Sequence, residues 1–288
     1  PGGRSARSSR RPTPRSTVSV LETISSEAGR IASRFAALRA EGRRALIPYL
    51  TAGYPAPAAT PELLERLVRA GADVIALGVP FSDPLADGPT IQRASQRAIE
   101  NGATLRATLE LLSSFRARHE TPVVLFTYLN PLLAYGVDRF IGDAVDAGAD
   151  GVLLTDLPVG SDASLEEAFE RSPLDLIRLI APTTPPARAR EIARRAQGFI
   201  YYISRTGVTG ATKALREGLA GEVAAIREAA RVPVAVGFGI SSPEQAAEAA
   251  AAADGIVVGS ALINALDREG PEGMESFLAG LRAALDRR

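Results

Sequence analysis

The sequence predicts an α/β protein, a (β/α)8 TIM barrel with an extra N-terminal helix. Three observations carry this reading. Eight short, near-continuous apolar runs recur from residue 45 onward, as expected of parallel strands covered on both faces. Alanine-rich amphipathic segments alternate with them, the pattern of successive βα units. The whole series fits within about 240 residues, the usual length of one such barrel. No G-x-G-x-x-G follows the first run, which argues against a doubly wound open sheet, the structural alternative.

Taken in order, residues 1–17 form a basic extension, expected to be disordered, and residues 18–288 form a single barrel domain. The amphipathic segment Val18–Ala40 is predicted to be a helix that plugs the barrel bottom. The strands are ALIPYLT (45–51), DVIALG (73–78), PVVLFTY (122–128), GVLLTD (151–156), LDLIRLI (174–180), GFIYYIS (198–204), VPVAVGF (232–238) and GIVVGS (255–260). Thr60-Pro61-Glu62, Thr184-Pro185 and Ser242-Pro243-Glu244 each place a hydroxyl before a proline, the signal for a capped helix start. About 45 residues separate the second and third strands, twice the usual repeat.

Composition removes several chemistries. With 46% hydrophobic and 23% charged residues the chain suits a soluble globular protein. It has no cysteine, so disulfides, thiolate catalysis and cysteine zinc sites are excluded. A single histidine, His119, excludes triads and multi-histidine metal sites, and no metal site is expected. His119 precedes the third strand, so a solvated or structural place at the barrel bottom is expected. The only lysine, Lys213, reads as a solvated charge. Five arginines (Arg4, Arg7, Arg10, Arg11 and Arg15) and no acid occupy the first 16 residues; the remaining 28 basic against 33 acidic residues leave the body mildly acidic. That balance argues against nucleic acid as a partner, and no apolar run approaches the roughly 20 residues that span a bilayer. The extension fits no secretory signal; its Arg/Ser-rich composition is compatible with a plastid transit peptide, whereas a plain disordered tail implies a cytoplasmic protein.

In this fold the chemistry sits on loops after the C-terminal ends of the strands. The loop GVPFSDPLADGPT (78–90) carries Asp83 and Asp87 on a proline-stiffened backbone. It reads either as a positioning segment or as local turn chemistry before a helix starting at Thr90. SRTGVTGATK (204–213) reads as a closing lid or an ordinary connection. GFGISSP (237–243) and VGSALI (258–263) present the amides of Gly237, Gly239, Gly259 and Ser260 near helix starts. Loops seven and eight of such barrels often bind phosphate through backbone N–H groups and a helix dipole. Tyr49, Tyr128, Tyr201 and Phe238 either line an apolar pocket for an aromatic substrate or belong to the barrel core. These features reach a barrel acting on a phosphorylated, partly apolar molecule, and no further.

The segments PYLTAGYP (48–55), GADVIALGVPFSDPLADGPTIQ (71–92), YLNPLLAYG (128–136), LLTDLPV (153–159), YISRTGVTGA (202–211), GFGIS (237–241) and VVGSALI (257–263) resemble the α subunit of tryptophan synthase. The match runs in order over roughly residues 25–285. The resemblance implies retro-aldol cleavage of indole-3-glycerol phosphate to indole and glyceraldehyde 3-phosphate. It also implies an α2β2 complex with a β subunit that holds pyridoxal phosphate, this chain needing no cofactor of its own. Carried over by position, Asp87 is the aspartate that holds the indole N–H, and Tyr201 is the tyrosine beside the catalytic acid. Tyr49, Tyr128 and Phe238 surround the indole. Gly210, Gly239, Gly259 and Ser260 cradle the phosphate, Thr209 is the lid threonine, and Asp83 faces the β subunit.

One position departs from the pattern. The family reads G-A-D-x-x-E-L-G where this chain has Gly71-Ala72-Asp73-Val74-Ile75-Ala76-Leu77-Gly78. The glutamate that serves as general acid and base is Ala76 here, so the resemblance implies a severely impaired lyase. Loss of such a group typically costs about 10²–10⁴ in rate. Asp73 lies about 10 Å further from the mouth, and Asp156, at the end of the fourth strand, is the nearer substitute. The alternative is a catalytically silent subunit that binds ligand and activates a β partner.

Overall fold

The computed structural model describes residues 29–203, 218–237 and 239–287, together with Gly2. Eight parallel strands close into a barrel in the order β1 to β8. They are β1 Ala45–Thr51, β2 Ile75–Gly78, β3 Val123–Thr127, β4 Gly151–Leu154, β5 Asp175–Ile180, β6 Ile200–Ile203, β7 Val234–Gly237 and β8 Gly255–Val258. Each overlaps an apolar run expected to be a strand; β1 matches its run and the other seven are shorter. The surrounding helices are α1 Arg30–Ala40, α2 Thr60–Arg69, α3 Pro89–Glu100, α4 Leu105–Arg116, α5 Leu129–Tyr135, α6 Val137–Asp146, α7 Ala163–Glu170, α8 Pro186–Arg195, α9 Leu219–Ala229, α10 Pro243–Ala252 and α11 Ser260–Asp286. The long interval between β2 and β3 is filled by α3 and α4. The basic extension and Val18–Ala28 lie outside the described residues, Gly2 apart.

The strands alternate strictly, as period-two side chains must. Ile47, Tyr49, Ala76, Val124, Leu153, Ile177, Ala235 and Val257 point into the barrel. Leu46, Leu50, Ile75, Leu77, Val123, Leu125, Ile256 and Val258 point outward under the helices. Both faces are buried, which is why the strands read as continuous apolar runs. From α1, Ile31, Phe35 and Leu38 pack into the inner cluster, and Phe35 meets Phe199 with ring centroids 5.8 Å apart. The bottom plug therefore exists, formed by the described half of the predicted helix.

At the bottom rim one arrangement repeats. Asp73, Asp150 and Asp254 each stand just before an even-numbered strand. Their carboxylates accept the backbone N–H of Leu46, Val123 and Val234 on the preceding strand, at 2.8, 2.8 and 2.9 Å. Their own amides donate back to the carbonyls of the same three residues. Gln197, before β6, accepts from Leu176 of β5 in the same way. Arginines complete three of these clasps. Arg282 and Arg34 pair with Asp73, Arg116 and Arg30 pair with Asp150, and Arg227 pairs with Asp254. Gly71 and Gly148, both at positive φ, leave room for the arginine stems: a Cβ there would come within 2.9 Å of Arg282 and 2.6 Å of Arg116.

Ser242 caps α10 by accepting from the Gln245 amide at 3.3 Å. The other two expected caps differ. Thr60 accepts from Gly53 across a turn, because a short 3-10 turn at Pro57–Ala59 leads directly into α2. Thr184 closes its own turn by accepting from Ala181. His119 sits at the bottom, stacked on Phe115 with Nε2 2.5 Å from Glu65 Oε2, the structural role expected of it.

Candidate active site

The barrel mouth opens into a cavity of about 980 Å³. Its floor is aromatic. Tyr49 from β1, Phe126 from β3 and Tyr201 from β6 line it, with centroids 5.4 Å apart for Tyr49–Phe126 and 6.3 Å for Phe126–Tyr201. Two glycines make room for the phenols. A Cβ on Gly78 would overlap the Tyr49 hydroxyl, and one on Gly237 would overlap the Tyr201 ring. Gly237 therefore underlies Tyr201 and does not itself line the cavity.

One wall is the 78–90 loop, which brings Ala86, Asp87 and Gly88 to the cavity. Asp87 is held from behind. The Tyr128 hydroxyl donates to Asp87 Oδ2 at 2.9 Å and accepts from the Ala86 amide at 3.0 Å. Gln92 Nε2 donates to the Asp87 carbonyl at 3.0 Å. Tyr128 is buried and absent from the lining, so it positions Asp87 and does not face the cavity. Burial pushes the Asp87 carboxyl up to about 6, and the Tyr128 hydrogen bond partly offsets this. Burial, followed by the charge of Asp87, pushes the phenols of Tyr49, Tyr128 and Tyr201 well above their ordinary range. All three are proton donors at neutral pH.

The neighbouring wall is the start of α11, which meets Thr90 and Ile91 at the start of α3. Gly259, Ser260 and Ala261 line the cavity with Gly239 and Ser241. Gly259 is the N-cap residue of α11, without a side-chain cap, and the first amides of a helix have no partner within it. Such an end favours an anion. Further along α11, Asn264, Asp267 and Arg268 reach the rim. Asp267 is spent on Arg93, at 2.7 Å, and on the Tyr54 hydroxyl. These rim residues were not anticipated from the sequence. Their spacing from Ser260, at four, seven and eight residues, places them on one helix face and is the signal that could have found them.

Ala76 is buried, 4% exposed, in register between Tyr49 and Val124, and it does not line the cavity. Neither expected substitute carboxylate reaches the site. Asp73 is locked in its clasp at the opposite end of the barrel. Asp156 is exposed outside the cavity and accepts from the Leu129 amide at 2.7 Å. Asp83 lies on the outer side of the 78–90 loop, and beside it Leu85 is 82% exposed. Thr209, Gly210 and Phe238 lie outside the described residues. Among the described residues no group of histidines, cysteines and carboxylates could hold a metal ion, and no helix is long and apolar enough to cross a membrane.

The model of the family described as "Tryptophan synthase alpha chain" matches residues 35–284. The tryptophan synthase alpha chain of Geobacter sulfurreducens is 49% identical over 260 residues, covering 89% of this chain and 98% of that protein. The counterpart from Citrifermentans bemidjiense is 51% identical over 257 residues, covering 89% and 96%. Among solved structures, tryptophan synthase subunit alpha from Legionella pneumophila superposes with a TM-score of 0.80 at 38% identity, over 90% of this chain and 99% of that one. A Mycobacterium tuberculosis tryptophan synthase gives 0.84 at 38% identity, over 91% and 100%.

Proposed function

Since this chain belongs to the tryptophan synthase alpha chain family, a family of lyases in tryptophan biosynthesis, we propose that its cavity binds indole-3-glycerol phosphate and cleaves it by a retro-aldol reaction, at a rate severely lowered by Ala76. The observation that carries this is the arrangement of one cavity: an aromatic floor, a single uncompensated carboxylate at the side, and an uncapped helix start at the rim. The indole ring lies among Tyr49, Phe126 and Tyr201. Asp87 accepts its N–H and stabilises the positive charge that develops on the ring. The phosphate rests on the amides around Gly239, Gly259 and Ser260. Cleavage requires a proton at indole C3 and removal of one from the side-chain hydroxyl. A glutamate at position 76 would supply both, and alanine supplies neither.

Asp83 and the exposed Leu85 form the face that meets a β subunit in an α2β2 complex, pyridoxal phosphate belonging to that partner. The relatives named above are bacterial, which favours the cytoplasm over a plastid as the place of action. The presence of this outer face beside the cavity also favours a second reading, a silent subunit that binds ligand and activates the β partner. One experiment separates them. Indole release from indole-3-glycerol phosphate is measured for this chain and for Ala76→Glu, each with and without a β subunit. A gain of at least about 10²-fold in the glutamate form supports the impaired lyase. No gain, with faster serine-to-tryptophan turnover by the β subunit when this chain is added, supports the silent partner.

A further inference from the structure

We propose that a side cavity between the loops after β4 and β5 binds a small organic carboxylate with an apolar body, its anion held by Arg178 and Arg188. The cavity measures about 340 Å³, toward the lower end of the range for small-molecule sites. It shares only Thr155 and Leu179 with the cavity at the mouth, and it does not depend on the chemistry assigned there.

Charge supports it first. Arg178 and Arg188 are the charged residues that line this cavity, and no carboxylate lines it among the described residues. Arg178 stands on β5 between Leu176 and Ile180, which belong to the outer layer, so its side chain also leaves the barrel axis. It is 4% exposed. Its Nη2 donates to Glu166 Oε2 at 3.0 Å, and its Nη1 reaches the Leu157 carbonyl only at 3.5 Å. Its Nε is buried with no acceptor among the described residues. A guanidinium offers five N–H donors, and buried donors left unused cost stability until an acceptor arrives. Glu166 does not belong to Arg178 alone. The same Oε2 takes Arg195 at 2.8 Å, while Oε1 takes the Gly160 amide. The other acid near Arg195, Glu170, lies at 3.6 Å on the exposed side. Arg188 gives Nη1 to Glu191 at 2.7 Å and Nη2 to the Val159 carbonyl, which fixes its head at the cavity edge.

Shape sets the ligand class. Leu154, Leu157, Val159 and Ile192 supply buried apolar wall. Thr184 accepts the Ala181 amide through Oγ1 at 3.1 Å, so its hydroxyl can donate to a ligand. Pro185 lines the cavity as the N-cap residue of α8, which has no side-chain cap, and the first amides of such a helix favour an anion. Guanidinium heads suit the paired oxygens of a carboxylate, and the apolar wall asks for a hydrocarbon body behind them, which inorganic phosphate lacks.

The probe is benzoate, titrated into the chain by ligand-observed NMR, with benzyl alcohol and inorganic phosphate as comparisons. The same titration is made on Arg178→Leu, Arg188→Leu and Thr183→Trp, and a thermal melt checks each fold. Benzoate should saturate with a Kd of about 10 mM or tighter, the affinity expected of a ligand of its size. Benzyl alcohol and phosphate should each bind at least about tenfold more weakly, the first for want of charge and the second for want of an apolar body. Each arginine variant should weaken benzoate at least about tenfold, and Thr183→Trp, which crowds the exposed side of the cavity, should weaken it likewise. Arg178→Leu takes one partner from the buried Glu166; if it fails to fold, Arg188→Leu and Thr183→Trp decide. No saturation by benzoate overturns the proposal, and benzyl alcohol or phosphate binding as tightly overturns the carboxylate class. Benzoate that binds the folded variants undiminished lies elsewhere, which overturns the site. So does full displacement by indole-3-propanol phosphate, an analogue of indole-3-glycerol phosphate without the cleavable hydroxyl, because benzoate would then sit at the mouth.

Discussion

Gly78 and Gly237 show how little space a side chain may take without displacing the site. Each ends its strand buried, directly beneath a phenol that lines the cavity. Gly78→Ala should push Tyr49 out of the floor. Overpacking of this kind costs about 1–3 kcal/mol, read as a lower melting temperature together with weaker binding of indole-3-propanol phosphate. A melt and an affinity equal to those of the parent chain would refute the account. Asp175 presents the same tension through charge. Burial, and then the charge of Asp150, push its carboxyl up to about 6. A carboxyl raised on folding favours the native state only while protonated, so its contribution is complete below about pH 4 and is lost as pH rises through about 6. Asp175→Asn should therefore raise the melting temperature at pH 7–8 and leave it nearly unchanged at pH 4. Asp87 obeys the same sign, so the site keeps a group that costs stability at neutral pH.

Among the elements, the eight strands were legible because burial on both faces leaves an unbroken apolar run. Tyr49 and Tyr201 were legible because they lie within β1 and β6, next to the loops at the mouth. Three features were not. Thr60 and Thr184 carry a cap's residue types, yet their hydroxyls serve tertiary and local turns, which single-residue chemistry cannot distinguish. Tyr128 matches the pocket pattern but turns behind Asp87, a matter of side-chain direction at one strand end. The aspartate clasps went unread although Ala-Gly-Ala-Asp recurs at 70–73 and 147–150, because the carboxylate's partner lies on the preceding strand, 27 residues away in both cases. Asp150→Ala should test their weight. It strands the Val123 amide and leaves Arg116 with no carboxylate, a buried pair whose breakage costs about 3–5 kcal/mol. At about 2–4 °C per kcal/mol for a domain of this size, the melting temperature should fall by about 10 °C. A fall of one or two degrees would mean the clasp is incidental.

On the scale of the molecule, the two ends of the barrel carry separate duties. The bottom holds the charged clasps and the α1 plug; the mouth holds the aromatics, Asp87 and the start of α11. That division explains why Asp73, only three residues from Ala76 in sequence, cannot stand in for the absent glutamate. The clasps also have a direction. Each binds an even strand to the odd strand before it, so β1–β2, β3–β4, β5–β6 and β7–β8 are fastened as couples, while the seams between couples carry no such clasp among the described residues. The barrel is thus assembled from four like modules, and its natural cutting lines follow from that. Two fragments severed at Gly160, after the second module, keep every strand-to-strand clasp within one fragment or the other, and of the clasp arginines part only Arg282 from its aspartate. Fragments severed at Gly136 divide Asp150 from Val123. Co-expressed halves of the first kind should reassemble into a soluble barrel in higher yield and with a higher melting temperature than halves of the second kind, and equal recovery would dissolve the modules into a uniform ring.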